Sequence, residues 1–124
     1  MLAQETLEAF LATSNSAAAR AFYEGVLGLK CTGEHEHLIE FDAGAARVRL
    51  QKSHEKVTPP HGTALGWRVR DLKGTILALM AKGVEFERGG LPHDELGIWS
   101  PVPGQGVAWF FDPDGNRLSL NGEV

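Results

Sequence analysis

Cysteine is nearly absent from this sequence, and several other features that would assign a compartment or a partner are missing too. The 124 residues contain one cysteine, Cys31, which excludes a disulfide framework and fits a reducing cytosol. No stretch approaches the ~20 consecutive apolar residues of a membrane-spanning helix, and the first residues lack the pattern of a signal peptide. The net charge of −4 is spread along the chain, without the basic patch that nucleic-acid binding requires. We therefore expect a cytoplasmic protein with neither a nucleic-acid nor a membrane partner.

Residue patterns predict the order of strands and helices in the first half of the chain. An apolar run at Leu7–Thr13 predicts a strand, and the polar residues at 14–16 can cap a helix. Ala18, Phe22 and Val26 lie at helical spacing, and Gly28 is suited to end that helix. Strand-like segments follow at residues 29–34, 37–42 and 46–52. The order is β-α-β-β-β.

The second half repeats this order after the TPPHG segment at residues 58–62, which neither a helix interior nor a central strand tolerates. A strand is predicted at residues 64–69, and Asp71 can cap a helix that Gly83 ends. Strands are predicted at residues 84–88, 98–100, 107–111 and 117–121. The helix between Asp71 and Gly83 has an apolar stripe of Leu72, Ile76, Leu79 and Met80. One such unit cannot cover its own sheet, so two must pair. The alternative is a generic α+β sandwich without a repeat.

Two motifs carry a family resemblance. The segment AFYEGVLGL at residues 21–29 and the turn FDPDGN at residues 111–116 resemble the end of the first helix and the last turn in the vicinal-oxygen-chelate superfamily, which includes glyoxalases, bleomycin-resistance proteins and extradiol dioxygenases. The segment VRDL at residues 69–72 resembles the junction that opens its second module. Residues 97–100 and 107–110 are most similar to a subgroup whose reaction is not established.

The resemblance covers essentially the whole chain and implies an α+β fold. We expect one domain, residues 1–124, with module one at about residues 5–57 and module two at about residues 62–122. The two βαβββ modules would form a cup-shaped mixed sheet with the helices on its outer face. Related proteins commonly dimerise around the cup, so a homodimer is expected.

The same resemblance implies a metal site that this sequence does not complete. Metal-dependent members hold a divalent ion with four His, Gln or Glu side chains inside the cup, and the ion binds two substrate oxygens. The matching positions here are Glu8, Arg49 or Gln51, Ala64 and Ser119. Arginine and alanine are not ligands and serine is a poor one, so we expect no metal and no other cofactor. The histidines are scattered over turns and loops, which argues against a relocated site.

Strand alternation predicts what lines the cup instead. Arg47, Arg49 and Gln51 share one face of their strand, and Arg68 lies on the equivalent face of the strand at residues 64–69. The predicted ligand-binding residues are Glu8, Phe10, Arg47, Arg49, Gln51, Arg68, Trp99, Trp109 and Ser119. Alternatively, the arginines lie on a solvated face or in a dimer contact. Residues 87–100 are either a lid or an ordinary surface loop.

The leading hypothesis is a metal-free small-molecule-binding protein of the glyoxalase/bleomycin-resistance type, with an anionic ligand that has an aromatic part. The rival hypothesis is an enzyme of this superfamily. It would be either a metal-dependent lyase, isomerase or dioxygenase, or a cofactor-free catalyst that uses Glu8. A pure interaction module is the third class. Cys31 has no evident catalytic partner and is interpreted as a buried thiol.

Overall fold

The computed structural model describes all residues, Met1–Val124, and confirms an α+β fold. The strands are β1 (Leu7–Thr13), β2 (Lys30–Glu34), β3 (Leu38–Asp42), β4 (Ala46–Lys52), β5 (Thr63–Arg68), β6 (Gln105–Phe111) and β7 (Arg117–Glu123). The helices are α1 (Ser16–Arg20), which continues as a π-helical segment (Ala21–Val26), and α2 (Leu72–Ala81); a short 3-10 helix spans Leu2–Gln4. No helix is long and apolar enough to cross a membrane.

The chain divides into two compact units. Unit one comprises Met1–Pro59 and Asp112–Asn116, and unit two comprises Pro60–Phe111 and Arg117–Val124. In unit one the sheet order is β1-β4-β3-β2, with β1 parallel to β4 and the other pairs antiparallel. Its core face buries Leu11, Ile39, Phe41, Val48 and Leu50. In unit two the order is β5-β7-β6, with β5 parallel to β7 and β6 antiparallel to it.

The first helix starts as predicted. The Asn15 side chain accepts the Ala18 N–H at 3.1 Å, as an N-cap residue does. The fully buried residues of the helix and its π-helical continuation are Ala19 and Tyr23. The buried hydroxyl of Tyr23 donates a hydrogen bond to Asp112.

The turn at residues 112–116 is a buried polar network in unit one. One carboxylate oxygen of Asp112 accepts the N–H groups of Asp114 and Asn116, each at 2.9 Å. The other accepts the Tyr23 hydroxyl at 2.7 Å and the Asn116 amide at 2.8 Å. Burial, followed by the negative charge of Asp112, raises the pKa of Tyr23 far above its ordinary value. The motif is therefore more than a favourable turn sequence.

The helix of unit two follows the prediction except at one residue. Asp71 caps α2 by accepting the Gly74 N–H at 3.0 Å, and Gly83 follows it with φ +93°. Leu72, Ile76 and Leu79 are buried, but Met80 is 40% exposed and lies outside the stripe.

Two predicted strands of unit two do not form. Residues 84–88 are not a strand, although Glu87 N–H donates to the Trp109 carbonyl at 2.7 Å. Residues 98–100 contribute a single bridge between Trp99 and Val107. Both segments therefore share the edge of β6, and neither pairs along its length. Gly89 and Gly90, with φ of +92° and +75°, turn the chain directly after the first segment.

Candidate functional site

Five predicted site residues lie on one face of the unit-one sheet, which we call the unit-one face. Strand register places Glu8 opposite Arg47 and Phe10 opposite Arg49, and Gln51 follows two residues later on β4. Side chains at alternate positions of paired strands share a face, so all five project to the same side. Phe10 is 50% exposed on this face.

The arginines of this face are already paired with carboxylates. Arg49 Nη1 lies 3.5 Å from Glu8 Oε2, and Arg49 Nε lies 3.2 Å from Glu40 Oε2. Arg47 Nη1 lies 3.1 Å from Asp42 Oδ1. Two guanidinium groups thus face three carboxylates. The arginines are consequently not free donors for an anionic ligand, because Glu40 and Asp42 on the neighbouring strand β3 compensate them.

Arg49 is the centre of the unit-one face. Its guanidinium carbon lies 5.5 Å from the centroid of the Phe10 ring, within the range of a cation–π contact. Its Nε is buried without an aligned hydrogen bond, even though the Glu40 carboxylate lies within ion-pair distance. The Glu8 carboxylate is 43% exposed and belongs to the same cluster. The cluster therefore holds Glu8 as an ion-pair partner.

The residues at the family's metal-ligand positions do not fit a metal. Arg49 places a positive charge beside Glu8, where a cation would have to bind. Ala64 has no donor atom, and Ser119 is 7% exposed within its sheet. No group of three or more His, Cys, Asp or Glu side chains comes close enough together to hold a metal ion.

The other predicted residues lie on the corresponding face of unit two, which we call the unit-two face. Gly66 and Trp109 both pair with Ser119, and Arg68 pairs with Asn121. A Cβ at Gly66 would lie 2.5 Å from Ser119 Oγ, so the glycine leaves room for the hydroxyl. Arg68 is exposed, and its Nη1 reaches Asn121 Oδ1 at 3.5 Å. Ser119 is therefore part of the sheet surface and not an accessible ligand.

Two tryptophans form the centre of the unit-two face. The Trp99 and Trp109 rings stack with centroids 6.0 Å apart and planes inclined by 29°. The Trp109 indole N–H donates to Thr63 Oγ1 at 3.0 Å. The guanidinium carbon of Arg117 lies 4.4 Å from the Trp109 ring centroid, and Arg117 is also ion-paired with Glu87. Trp109 is thus held by ring, cation and hydrogen-bond contacts, which give it a defined position.

A cavity of about 260 Å³ lies against this pair, and the segment that we predicted as a lid or a surface loop contributes most of its wall. The Gly89 N–H donates to His93 Nε2 at 3.1 Å, and His93 Nδ1 lies 2.8 Å from the Asp94 carbonyl oxygen. These two contacts tie the loop to itself. The cavity is lined by Glu87, Arg88, Gly89, Gly90, Leu91, His93, Gly97, Trp99, Trp109 and Arg117.

Sequence reasoning found the two tryptophans but missed the charged residues around them. Arg117 precedes Ser119 by two residues, so alternation along β7 would have placed it beside Trp109. Glu87 was assigned to a strand that does not form. No sequence signal places Arg88 or His93 in the wall, since the loop conformation brings them there.

A sequence model of the Glyoxalase/Bleomycin resistance protein/Dioxygenase superfamily matches residues 6–120. The chain belongs to this superfamily. This confirms the resemblance carried by the two motifs and by the βαβββ order. No curated protein matches the sequence.

Solved structures of the superfamily share the fold at low sequence identity. The glyoxalase family protein from Enterococcus faecalis has a TM-score of 0.76 and 23% identity, covering 98% of this chain and 99% of that chain. TnmS3, an antibiotic binding protein from Streptomyces sp. CB03234, has a TM-score of 0.74 and 19% identity over 100% and 99%. Lactoylglutathione lyase from Agrobacterium tumefaciens has a TM-score of 0.74 and 18% identity over 96% and 93%. These similarities show the fold, and they do not identify an activity.

Proposed function

We propose that this chain is a metal-free small-molecule-binding protein of the glyoxalase/bleomycin-resistance type, and that it holds its ligand on the unit-two face. The observation that supports this most is the cavity of about 260 Å³ against Trp99 and Trp109. Ligand pockets are concave and mostly apolar, with a few placed polar groups. The wall of this cavity is more polar than that, and it combines the stacked tryptophan pair with the charged groups of Glu87, Arg88 and Arg117.

The size of the cavity limits what it can hold. Typical pockets for drug-sized ligands measure about 300–1,000 Å³, and this one is slightly smaller. It therefore suits a compact molecule, or one end of a larger molecule. One of the similar structures, TnmS3, is an antibiotic binding protein. This fold therefore also occurs in a protein that is named for binding a small molecule and not for a reaction.

The enzyme alternative depends on Glu8, the candidate catalytic residue. A general base must reach the proton that it removes and must be free to accept it. Glu8 lies 3.5 Å from Arg49 and shares that guanidinium with Glu40. We propose that the Glu8 carboxylate balances the positive charge of Arg49 and helps to orient this side chain on the unit-one face. Lactoylglutathione lyase from Agrobacterium tumefaciens is 18% identical to this chain, so its similarity supports the fold and does not give Glu8 a catalytic role.

Two measurements test the proposal. Elemental analysis of purified protein should find far less than one divalent metal ion per chain, and a thermal-shift screen of diverse small molecules should find stabilising ligands in the absence of added metal. A stoichiometric metal that disappears in Glu8→Ala would contradict the metal-free proposal. A screen without a single stabilising compound would contradict ligand binding.

We further propose that the protein is a cytoplasmic homodimer, as the resemblance to dimeric relatives implies. The half-exposed ring of Phe10 on the unit-one face provides apolar surface for such a contact. Light scattering coupled to size exclusion should give twice the chain mass of 13.4 kDa. A monomer at all concentrations would contradict this proposal and leave ligand binding unaffected.

A further inference from the structure

The cavity on the unit-two face has an unequal charge balance. Its wall contains one carboxylate, Glu87, and two guanidinium groups, Arg88 and Arg117. Glu87 is ion-paired with Arg117, so these two charges compensate each other. Arg88 Nη2 donates to the Glu95 carbonyl oxygen at 3.0 Å, and that partner is neutral. One positive charge in the wall therefore remains without a carboxylate partner.

Loop geometry fixes the position of Arg88. Gly97 is buried and has φ +85°, and a Cβ at this position would overlap Arg88 Nη1. The guanidinium thus lies directly against the backbone of Gly97, with the Glu95 carbonyl as its hydrogen-bond partner. An arginine has five N–H donors in a planar arrangement, so this one bond leaves others for a ligand. A carboxylate or phosphate oxygen is the group that such donors bind best.

The apolar part of the wall is aromatic and preorganised. Trp99 is half-buried, stacks on Trp109, and lines the cavity. Trp109 is in addition held by Arg117 and by Thr63. A flat ring can stack on an indole with little loss of side-chain entropy, because the indoles are already ordered.

We infer that the cavity takes a small planar aromatic anion, whose ring stacks on the tryptophan pair and whose negative group binds Arg88. This inference rests on the proposed function and specifies its ligand class. Glu87 has the opposite role: its carboxylate holds Arg117 and repels a second negative charge, which limits the ligand to one anionic group. The arginines of the unit-one face take no part, since carboxylates already pair with them.

Three naphthalene probes of similar size differ in charge: 2-naphthoate, its isosteric amide 2-naphthamide, and the cation 2-(aminomethyl)naphthalene. Binding is followed by the indole N–H signals of nitrogen-15-labelled protein, which has three tryptophans. Trp67 pairs with Leu120 and does not line the cavity, so its signal is the internal reference. We expect 2-naphthoate to shift the Trp99 and Trp109 signals and to bind about three- to tenfold more tightly than the amide. The cation should bind most weakly.

Two substitutions should change the affinity for 2-naphthoate in opposite directions. Arg88→Gln should weaken it about three- to tenfold and leave the affinity for the amide unchanged, because only the charge partner is lost. Glu87→Gln should strengthen it by about threefold, because Arg117 loses its counter-ion and the cavity wall becomes more positive. Arg70→Gln is the matched control: Arg70 is exposed and outside the cavity wall, so the same change in net charge should have little effect.

Each outcome distinguishes this inference from the proposed function. Equal or tighter binding of the amide or the cation at Trp99 and Trp109 would overturn the anion preference and leave small-molecule binding intact. An equal loss in Arg88→Gln and Arg70→Gln would overturn the role of Arg88. If no probe shifts these two signals, the inference fails, and hits in the thermal-shift screen of the same preparation would show whether the proposed function survives.

Discussion

The unit-one and unit-two faces look similar in composition but differ in how their charges are used. On the unit-one face Arg47 and Arg49 are both paired with carboxylates from strands of the same sheet. On the unit-two face the aromatic pair is large and Arg88 has a neutral partner. The comparison teaches that an arginine is available to an anionic ligand only where its neighbours, whether strand or loop, leave it without a counter-ion.

The polar groups of unit one have a structural role, and the Asp112 carboxylate is the strongest example. It accepts two backbone and two side-chain donors in a buried position. We expect Asp112→Ala to lower the free energy of unfolding by about 3–5 kcal/mol, because four donors lose their acceptor together. Urea denaturation followed by circular dichroism measures this change.

Asp94 in unit two is the matched control. Its carboxylate accepts the N–H groups of Leu96 and Ile98, each at 2.9 Å, in a half-buried turn. Asp94→Ala should cost only about 1–2 kcal/mol, as the loss of a capping side chain does. Equal costs for the two substitutions would contradict the special role that we assign to the Asp112 network.

The aromatic pair of unit two should matter for binding. Trp109→Leu removes the stack with Trp99, the contact with Arg117 and the bond to Thr63. We expect a stability loss of about 1–3 kcal/mol and a loss of 2-naphthoate binding that calorimetry detects. Trp67→Leu changes a half-buried tryptophan outside the cavity wall and should leave the binding intact. Binding that survives Trp109→Leu would move the ligand site away from the unit-two face.

Local chemistry explains which parts of this structure were predictable. The caps Asn15 and Asp71 and the shared face of Arg47 and Arg49 follow from residue type and strand period. The motif-based resemblance then supplied the fold class, which composition does not contain.

The unpredicted parts depend on contacts between distant residues. Glu40 and Asp42 compensate the arginines because of the register between β3 and β4, and one sequence does not fix that register. Residues 84–88 have a strand-like pattern, but their backbone bonds to β6 through Glu87 alone, which donates to the Trp109 carbonyl. The same edge of β6 also forms the bridge between Val107 and Trp99. The position of Arg88 results from the glycine-containing loop, so spacing in the sequence could not have revealed it.

Tyr23 should make the stability of the protein depend on pH, and the sign of this dependence follows from its environment. Burial, followed by the charge of Asp112, raises its pKa above the ordinary value of 10.0 in the folded protein. The unfolded chain therefore releases the proton first. The contribution of Tyr23 to stability is fully present below pH 10 and declines as the pH rises above it, by about 1.4 kcal/mol per pH unit.

Comparison with Tyr23→Phe isolates this contribution from other groups that titrate at high pH. At neutral pH the variant should be less stable by about 1.5–3 kcal/mol, because it loses a hydrogen bond to a charged acceptor. Above pH 10 the difference should shrink, since only the wild type has a tyrosine to ionise on unfolding. Tyrosinate absorbance then reports Tyr23 alone, and it should stay low while the protein remains folded. Ionisation near pH 10 in the folded state, or a stability difference that does not change with pH, would show that the unit-one network does not hold this hydroxyl as described.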